Sequence, residues 1–356
     1  MNSSKTNKNT RLYKPKYEQI RHGGNLQEAI QIYGGLATDW LDLSTGISPW
    51  AYPVAEITEE IWRNLPQQSV KLKEIAAAYY CCNESDLSLS PGSQLAIRLL
   101  PTLITQKQIV AVPLIGYQEH MHAWQVAGHE IVFYKSIEQL KQLISASAIT
   151  SAVVINPNNP TGETARPAEL NEIASKISGL LIVDEAFSDT QTDLSVIDKA
   201  LLANIFILRS IGKFFGLAGA RIGFLISAHP ANKELQALFN PWSISAPSQY
   251  IAELALADTD WQEFQRNRLL NQSNEVRDCL NSCLSQFEQH QIHIKGGILF
   301  NSVFSNAGFI EQLQNKLAQQ KIWSRIGDIK NGSNWLRLGL PGDELSRFKR
   351  VIESIK

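Results

Sequence analysis

No apolar run in this 356-residue chain approaches the roughly 20 residues that a bilayer-crossing helix requires. A membrane is therefore not expected as a partner. The chain also lacks a charge excess of either sign: 33 Lys and Arg stand against 34 Asp and Glu, for a formal net charge of -1. Nucleic acid is normally held by a basic surplus, so it is not an expected partner either. Cysteine is scarce, with only Cys81, Cys82, Cys279 and Cys283. Neighbouring cysteines rarely bridge each other, and the second pair stands at helical i, i+4 spacing with no further ligands close by. Buried or idle thiols are expected, and no metal. The polar opening, residues 1–20, has no apolar stretch behind it. It reads as a loosely attached arm and not as a secretory signal, which makes the cytoplasm the expected compartment.

The length is enough for two cores. Between about residues 85 and 230, short apolar runs alternate with amphipathic stretches. Runs at 108–114, 151–157, 179–187, 205–211 and 221–227 read as buried strands, because their apolar residues are consecutive instead of alternating. Stretches such as 165–177 read as covering helices. The expected fold class is α/β, a large domain with a mostly parallel mixed sheet under helices, plus a smaller α+β domain. After Pro241 the text changes to one long helical region at 248–288, then strands and helices to the end. The expected division is an arm at 1–20, an N-terminal segment at 21–50 packing with the small domain, a large domain at 51–240 and a small one at 241–356.

Three short motifs follow one another in the large domain. Asn156-Pro157-Asn158-Asn159-Pro160-Thr161-Gly162 comes directly after a strand, and its prolines and glycine force an irregular turn. Taken alone it serves equally well as a structural turn. Asp184 closes an apolar strand, at the sheet edge where α/β enzymes bind ligands; a helix cap would explain it as well. Lys213 lies just past a third apolar strand among small residues, flanked by Ser210 and Arg221. A desolvated lysine there loses its charge, as an imine-forming amine must, while a hydroxyl and a guanidinium suit a phosphate.

In this order the motifs resemble those of the class I/II aminotransferase superfamily, the pyridoxal-phosphate (PLP) enzymes of fold type I, over roughly residues 40 to 345. The resemblance implies PLP as cofactor, Lys213 as its Schiff-base residue and Asp184 as the partner of the pyridinium nitrogen. It places Asn159 on the ring's phenolic oxygen and Ser210 and Arg221 on the phosphate. Gly92, Ser93 and Gln94, where a turn opens into a helix, match the phosphate-cradling helix start. Tyr117 resembles the aromatic that stacks on the ring, with core packing as the alternative. Arg337 resembles the arginine that clamps a substrate carboxylate, and Arg325 stands as a second anion ligand or a surface residue. Phe187 replaces a frequent tyrosine and Gly212 a frequent hydroxyl residue, which marks a subfamily.

Two N-terminal stretches, His22-Gly23-Gly24-Asn25 and Asp42 to Trp50, resemble the threonine-phosphate decarboxylases of cobalamin synthesis. Tyr117-Gln118-Glu119-His120 with Ala123-Trp124 fits the branch of the aerobic pathway. This implies decarboxylation of a phosphorylated amino acid, L-threonine O-3-phosphate, to (R)-1-amino-2-propanol O-2-phosphate. His22, Gly24, Asn25, Gly46, Ile47, Arg325 and Arg337 would then meet the substrate, although a loop near a helix start explains the first three equally well. A homodimer is implied too. The alternatives are an aminotransferase of a phosphorylated substrate such as histidinol phosphate, or a PLP-sensing regulator. The latter is disfavoured by the roughly 20 polar residues ahead of His22 and by the neutral charge. A dinucleotide-dependent dehydrogenase is disfavoured because no G-x-G-x-x-G follows the first strand.

Overall fold

The computed structural model describes residues 22–355 apart from 55, 147–148, 199–200, 240–241 and 329–332. The arm expected at 1–20 and the boundary expected near 240 lie outside the described residues. The short strand β1 (Leu41–Asp42) follows a helix at Leu26–Tyr33. Seven strands then build one sheet: β2 (Leu87–Ser90), β3 (Ile109–Pro113), β4 (Glu130–Tyr134), β5 (Ser151–Ile155), β6 (Leu181–Asp184), β7 (Ile205–Ser210) and β8 (Gly223–Ile226), in the spatial order β2-β8-β7-β6-β5-β3-β4. The five runs read as strands from sequence are β3, β5, β6, β7 and β8. The β3-β4, β3-β5, β5-β6 and β6-β7 pairings are parallel, and β8 alone runs against both its neighbours.

Consecutive apolar residues form strands here because both faces are covered. Every residue of β5, β6 and β7 is buried. At about 1.5–3 kcal/mol for each fully buried Val, Leu, Ile or Phe, this central layer is a major stabilising block. Helix starts are set by local side chains. Ser69 accepts from the N–H of Leu72 at 3.0 Å, and Ser136 from that of Gln139 at 3.2 Å.

The C-terminal part holds β9 (His293–Gly297), β10 (Phe300–Asn306), β11 (Ile322–Trp323), β12 (Arg325–Asp328) and β13 (Ser333–Gly339). Four of them form an antiparallel sheet ordered β12-β13-β10-β9, while β11 pairs in parallel with β1. The helical region expected as one unit at 248–288 is two helices, Ala246–Ala257 and Thr259–Leu284. The break falls at Asp258, whose carboxylate accepts from the N–H of Trp261 at 3.0 Å and so caps the second helix, and from the hydroxyl of Tyr52 at 3.1 Å. That second helix is rich in polar residues, yet Gln262, Gln265 and Gln272 are buried. Gln265 donates to Ser48 Oγ at 2.6 Å, and Gln272 both donates to and accepts from the backbone of Gly342. Its amides tie down distant loops.

The turn after β5 joins the two sheets. A Cβ on Gly162, which sits at φ +71°, would lie 2.1 Å from the carbonyl oxygen of Gly296 in β9. Ser302 of β10 donates to the carbonyl of Pro160 at 2.8 Å. Only glycine permits both the left-handed backbone and this approach.

Candidate active site

Parallel strands end together, so the residues that follow them gather along one sheet edge. Asp184 ends β6, and the N–H of Asn156, just past β5, donates to its carbonyl at 2.9 Å. Ser210 ends β7 opposite Gly223 of β8, which in turn faces Ser90 of β2. Gly92 follows Ser90 with φ +77° and leads into the helix Ser93–Leu99. A Cβ on Gly92 would lie 2.7 Å from the guanidinium of Arg221, itself left-handed at φ 53°. The helix start, Ser210 and Arg221 thus form a cradle of donors sized by the missing side chain.

Asp184 is buried, and its Oδ2 lies 2.8 Å from Nε2 of the buried His120. A carboxylate oxygen only accepts, so Nε2 carries the hydrogen. The N–H of Ala186 donates to Oδ1 at 3.1 Å. Asp184 is therefore fixed in place, as a carboxylate set against a cofactor nitrogen must be. His120 has no distinctive local signal; it was legible only as part of the Tyr117–His120 stretch.

Lys213 is half-buried beside the Phe187 ring, with Nζ 5.5 Å from the ring centroid. Burial, reinforced by the charges of Arg337 and Arg221 and opposed by Asp184, holds its amine down to about 8. Near pH 8 a large fraction is therefore the neutral nucleophile. Phe187 packs edge-on against Phe300 at 5.3 Å, and a Cβ on Gly46 would meet both rings. Tyr117 donates to Gln94 Oε1 at 2.7 Å, and burial is the main cause that raises its hydroxyl far above the usual tyrosine range.

The remaining candidates come from the small sheet and the N-terminal segment. Arg337 on β13 is buried and directly opposite Arg325 on β12. Burial and then Arg325 bring Arg337 down to about 10. Its guanidinium donates to Asn159 Oδ1 and to the carbonyl of Ser44, while its buried Nε has no partner. Gly24 donates to Ser44 Oγ at 2.8 Å. His22 lies 3.0 Å from the buried Glu119, which also accepts from Gln94 at 2.6 Å and from Arg98. Glu119, missed as a site residue, thus links the N-terminal segment to Gln94 and, through it, to Tyr117.

A cleft of about 320 Å3 brings together His22, Gly46, Ile47, Tyr117, Asn159, Lys213, Arg221, Arg325 and Arg337. Thr45, Gly116 and Trp335 also line it and were not foreseen. Gly92, Ser93, Gln94, Asp184, Phe187 and Ser210 stand behind these wall residues. Asn25 is set apart: it is exposed, precedes the helix Leu26–Tyr33 and reaches Glu28 at 3.4 Å.

The chain belongs to the class I and II aminotransferase family, whose model matches residues 55–355. Among curated relatives, it is 37% identical over 329 residues to a threonine-phosphate decarboxylase from Pseudomonas aeruginosa, across 91% of this chain and 94% of that one. A second threonine-phosphate decarboxylase, from a Sinorhizobium species, is 36% identical over 334 residues with the same coverage. The fold matches the histidinol-phosphate aminotransferase of Sinorhizobium meliloti, solved with pyridoxal-5'-phosphate, at a TM-score of 0.76 over 98% of this chain and 99% of that one, with 17% identity.

Proposed function

We propose that this chain is a PLP-dependent decarboxylase of L-threonine O-3-phosphate, releasing CO2 and (R)-1-amino-2-propanol O-2-phosphate. The observation that carries the reading is the facing pair Arg325 and Arg337 over the cleft that also holds Lys213. A substrate with both a carboxylate and a phosphate satisfies two such cations, and the relatives sharing over a third of the sequence bear the matching name.

The residues fit the cofactor. The Gly92–Arg221 cradle and Ser210 would hold its phosphate, Asp184 its ring nitrogen, Asn159 its phenolic oxygen, and Tyr117 and Lys213 its two faces. Bound there, PLP supplies an electron sink for the pair left on Cα when CO2 departs. Asp184, anchored by His120, keeps a proton on the ring nitrogen. Arg337 grips the substrate carboxylate and so orients the bond that breaks. His22 and Arg325, which line the same cleft, draw the substrate phosphate. The Lys213 amine, protonated in part near pH 8, delivers a proton to Cα as CO2 leaves.

Incubating the protein with PLP and threonine O-3-phosphate tests this reading. CO2 and aminopropanol phosphate are expected. Amine transfer to 2-oxoglutarate without CO2 would assign it to the aminotransferases instead.

A cytoplasmic homodimer completes the proposal. Val54, Trp62, Leu65 and Val70 expose large apolar side chains along one stretch, each more than 60% accessible, and a second copy of the chain would cover them. Light scattering is expected to give twice the 39.7 kDa chain mass, and Trp62→Glu to shift the equilibrium toward the monomer. A monomeric wild type would refute it.

A further inference from the structure

The turn 156–162 has two sides. Asn159 and Pro160 face the cleft of Lys213, whereas Thr161 and Gly162 line a second, larger cleft of about 640 Å3. Its walls are edge elements of both sheets. The loop after β4 supplies Lys135, the helix Thr259–Leu284 supplies Arg277, and β9 supplies His293 and Lys295.

The lining is cationic. Lys135, Arg277 and Lys295 form no ion pair with a carboxylate among the described residues. The one acidic side chain in the lining, Glu163, accepts from the N–H of Ile137 at 3.3 Å. Arg277 is aimed by its Nε, which donates to Asn301 Oδ1 at 3.0 Å. Three cations, of which Arg277 is held in place, against one carboxylate gather an anion, more so between low-dielectric walls. Ile115, Ile294 and Phe304 add apolar surface that a phosphate ion alone would leave wet.

A recess of about 160 Å3 adjoins this cleft, sharing Ile115, Lys135, Thr161 and Glu163 with it. Asn158 lines the recess, only 5% exposed. Its amide nitrogen donates to the carbonyl of Ile115 at 2.9 Å, but its buried Oδ1 has no partner. An orphaned acceptor of this kind is satisfied by a donor that enters from outside.

We propose that this second cleft binds a phosphorylated small molecule of mononucleotide size. Its phosphates meet Lys135, Arg277 and Lys295, its ring lies on the apolar wall, and a donor of the ligand reaches Asn158. The volume falls within the range of roughly 300–1,000 Å3 usual for small-molecule sites. The proposal stands apart from the decarboxylase reading. A ligand here would hold the turn and β9 together, and the turn positions Asn159, which grips Arg337.

Calorimetric titration of ADP into the PLP-loaded protein tests it, with inorganic phosphate as a second probe. One ADP per chain is expected, with a Kd below about 1 mM. Lys295→Glu and Arg277→Gln are each expected to weaken it about tenfold or more, and Arg337→Gln to leave it unchanged. Absence of binding overturns the proposal. So does an affinity that follows Arg337 but not Lys295, which would place ADP in the first cleft. Inorganic phosphate binding as tightly as ADP overturns the mononucleotide size. Lys295 is exposed on an edge strand, so its variant folds; Lys135→Glu, also exposed, repeats the test independently.

Discussion

Lys213→Ala is expected to lower turnover of threonine O-3-phosphate by about 10^3-fold or more, because it removes both the nucleophile that fastens the cofactor and the proton donor at Cα. Borohydride reduction of the wild type, followed by peptide mass spectrometry, is expected to leave the cofactor's mass on Lys213, and the variant to carry none. A variant that retained covalent cofactor and full turnover would remove Lys213 from the site. The pH dependence of cofactor loading gives a further reading. Only the neutral amine attacks a carbonyl, and the Lys213 amine is held down to about 8, so the loading rate of the apoprotein should rise with pH and level off above that value. Arg337 lowers the amine, so Arg337→Gln should move the midpoint up. Asp184 raises it, so Asp184→Asn should move the midpoint down.

Arg209→Met is expected to destabilise the fold by about 3–5 kcal/mol, measured by denaturant unfolding at pH 8. Arg209 is 3% exposed and lies between two carboxylates with no exposure, Glu185 at 3.0 Å and Asp189 at 3.1 Å. Methionine leaves two buried carboxylates with only Arg266, beside Asp189, to offset them. The sign of the pH effect follows from burial. Burial pushes Glu185 up and Asp189 up to about 6, against the opposing pull of Arg209. Groups raised in the folded state contribute stability that is complete below their unfolded values, near 4, and is lost as pH rises through the folded ones. The wild type thus loses the Asp189 contribution between about pH 4 and 6, and that of Glu185 as pH rises above its ordinary range. Without Arg209 the carboxyls rise further, and once protonated they need no cation. The deficit of Arg209→Met should therefore be smaller at pH 5 than at pH 8. An equal deficit at both would exclude the electrostatic account. Because Glu185 follows Asp184 and Arg209 precedes Ser210, the same variant should also weaken cofactor retention.

The parts of the site that were legible in sequence are those carried by a strand and the loop directly after it. Consecutive apolar residues mark β5, β6 and β7, and the turn at 156–162, Asp184 and Ser210 to Arg221 follow without any long-range information. The opposite direction of β8 was not legible, since a buried apolar run looks the same in either sense. Nor was the pairing of β1 with β11: two residues are too few for a periodicity, and the partners are about 280 residues apart. His120 and Glu119 were legible only as members of the Tyr117–His120 stretch, and only the folded chain sets them against Asp184 and His22. The burial of the glutamines in the helix Thr259–Leu284 was not legible for a related reason. Amides that serve distant loops have the same composition as amides that face water.

The walls of the first cleft are drawn from almost the whole chain, from His22 to Arg337. During synthesis, then, the strands that follow one another in the large sheet can form while the far wall is still unmade. The cleft itself becomes complete only once Arg337 has been made, and a cofactor arriving earlier meets a half-built site.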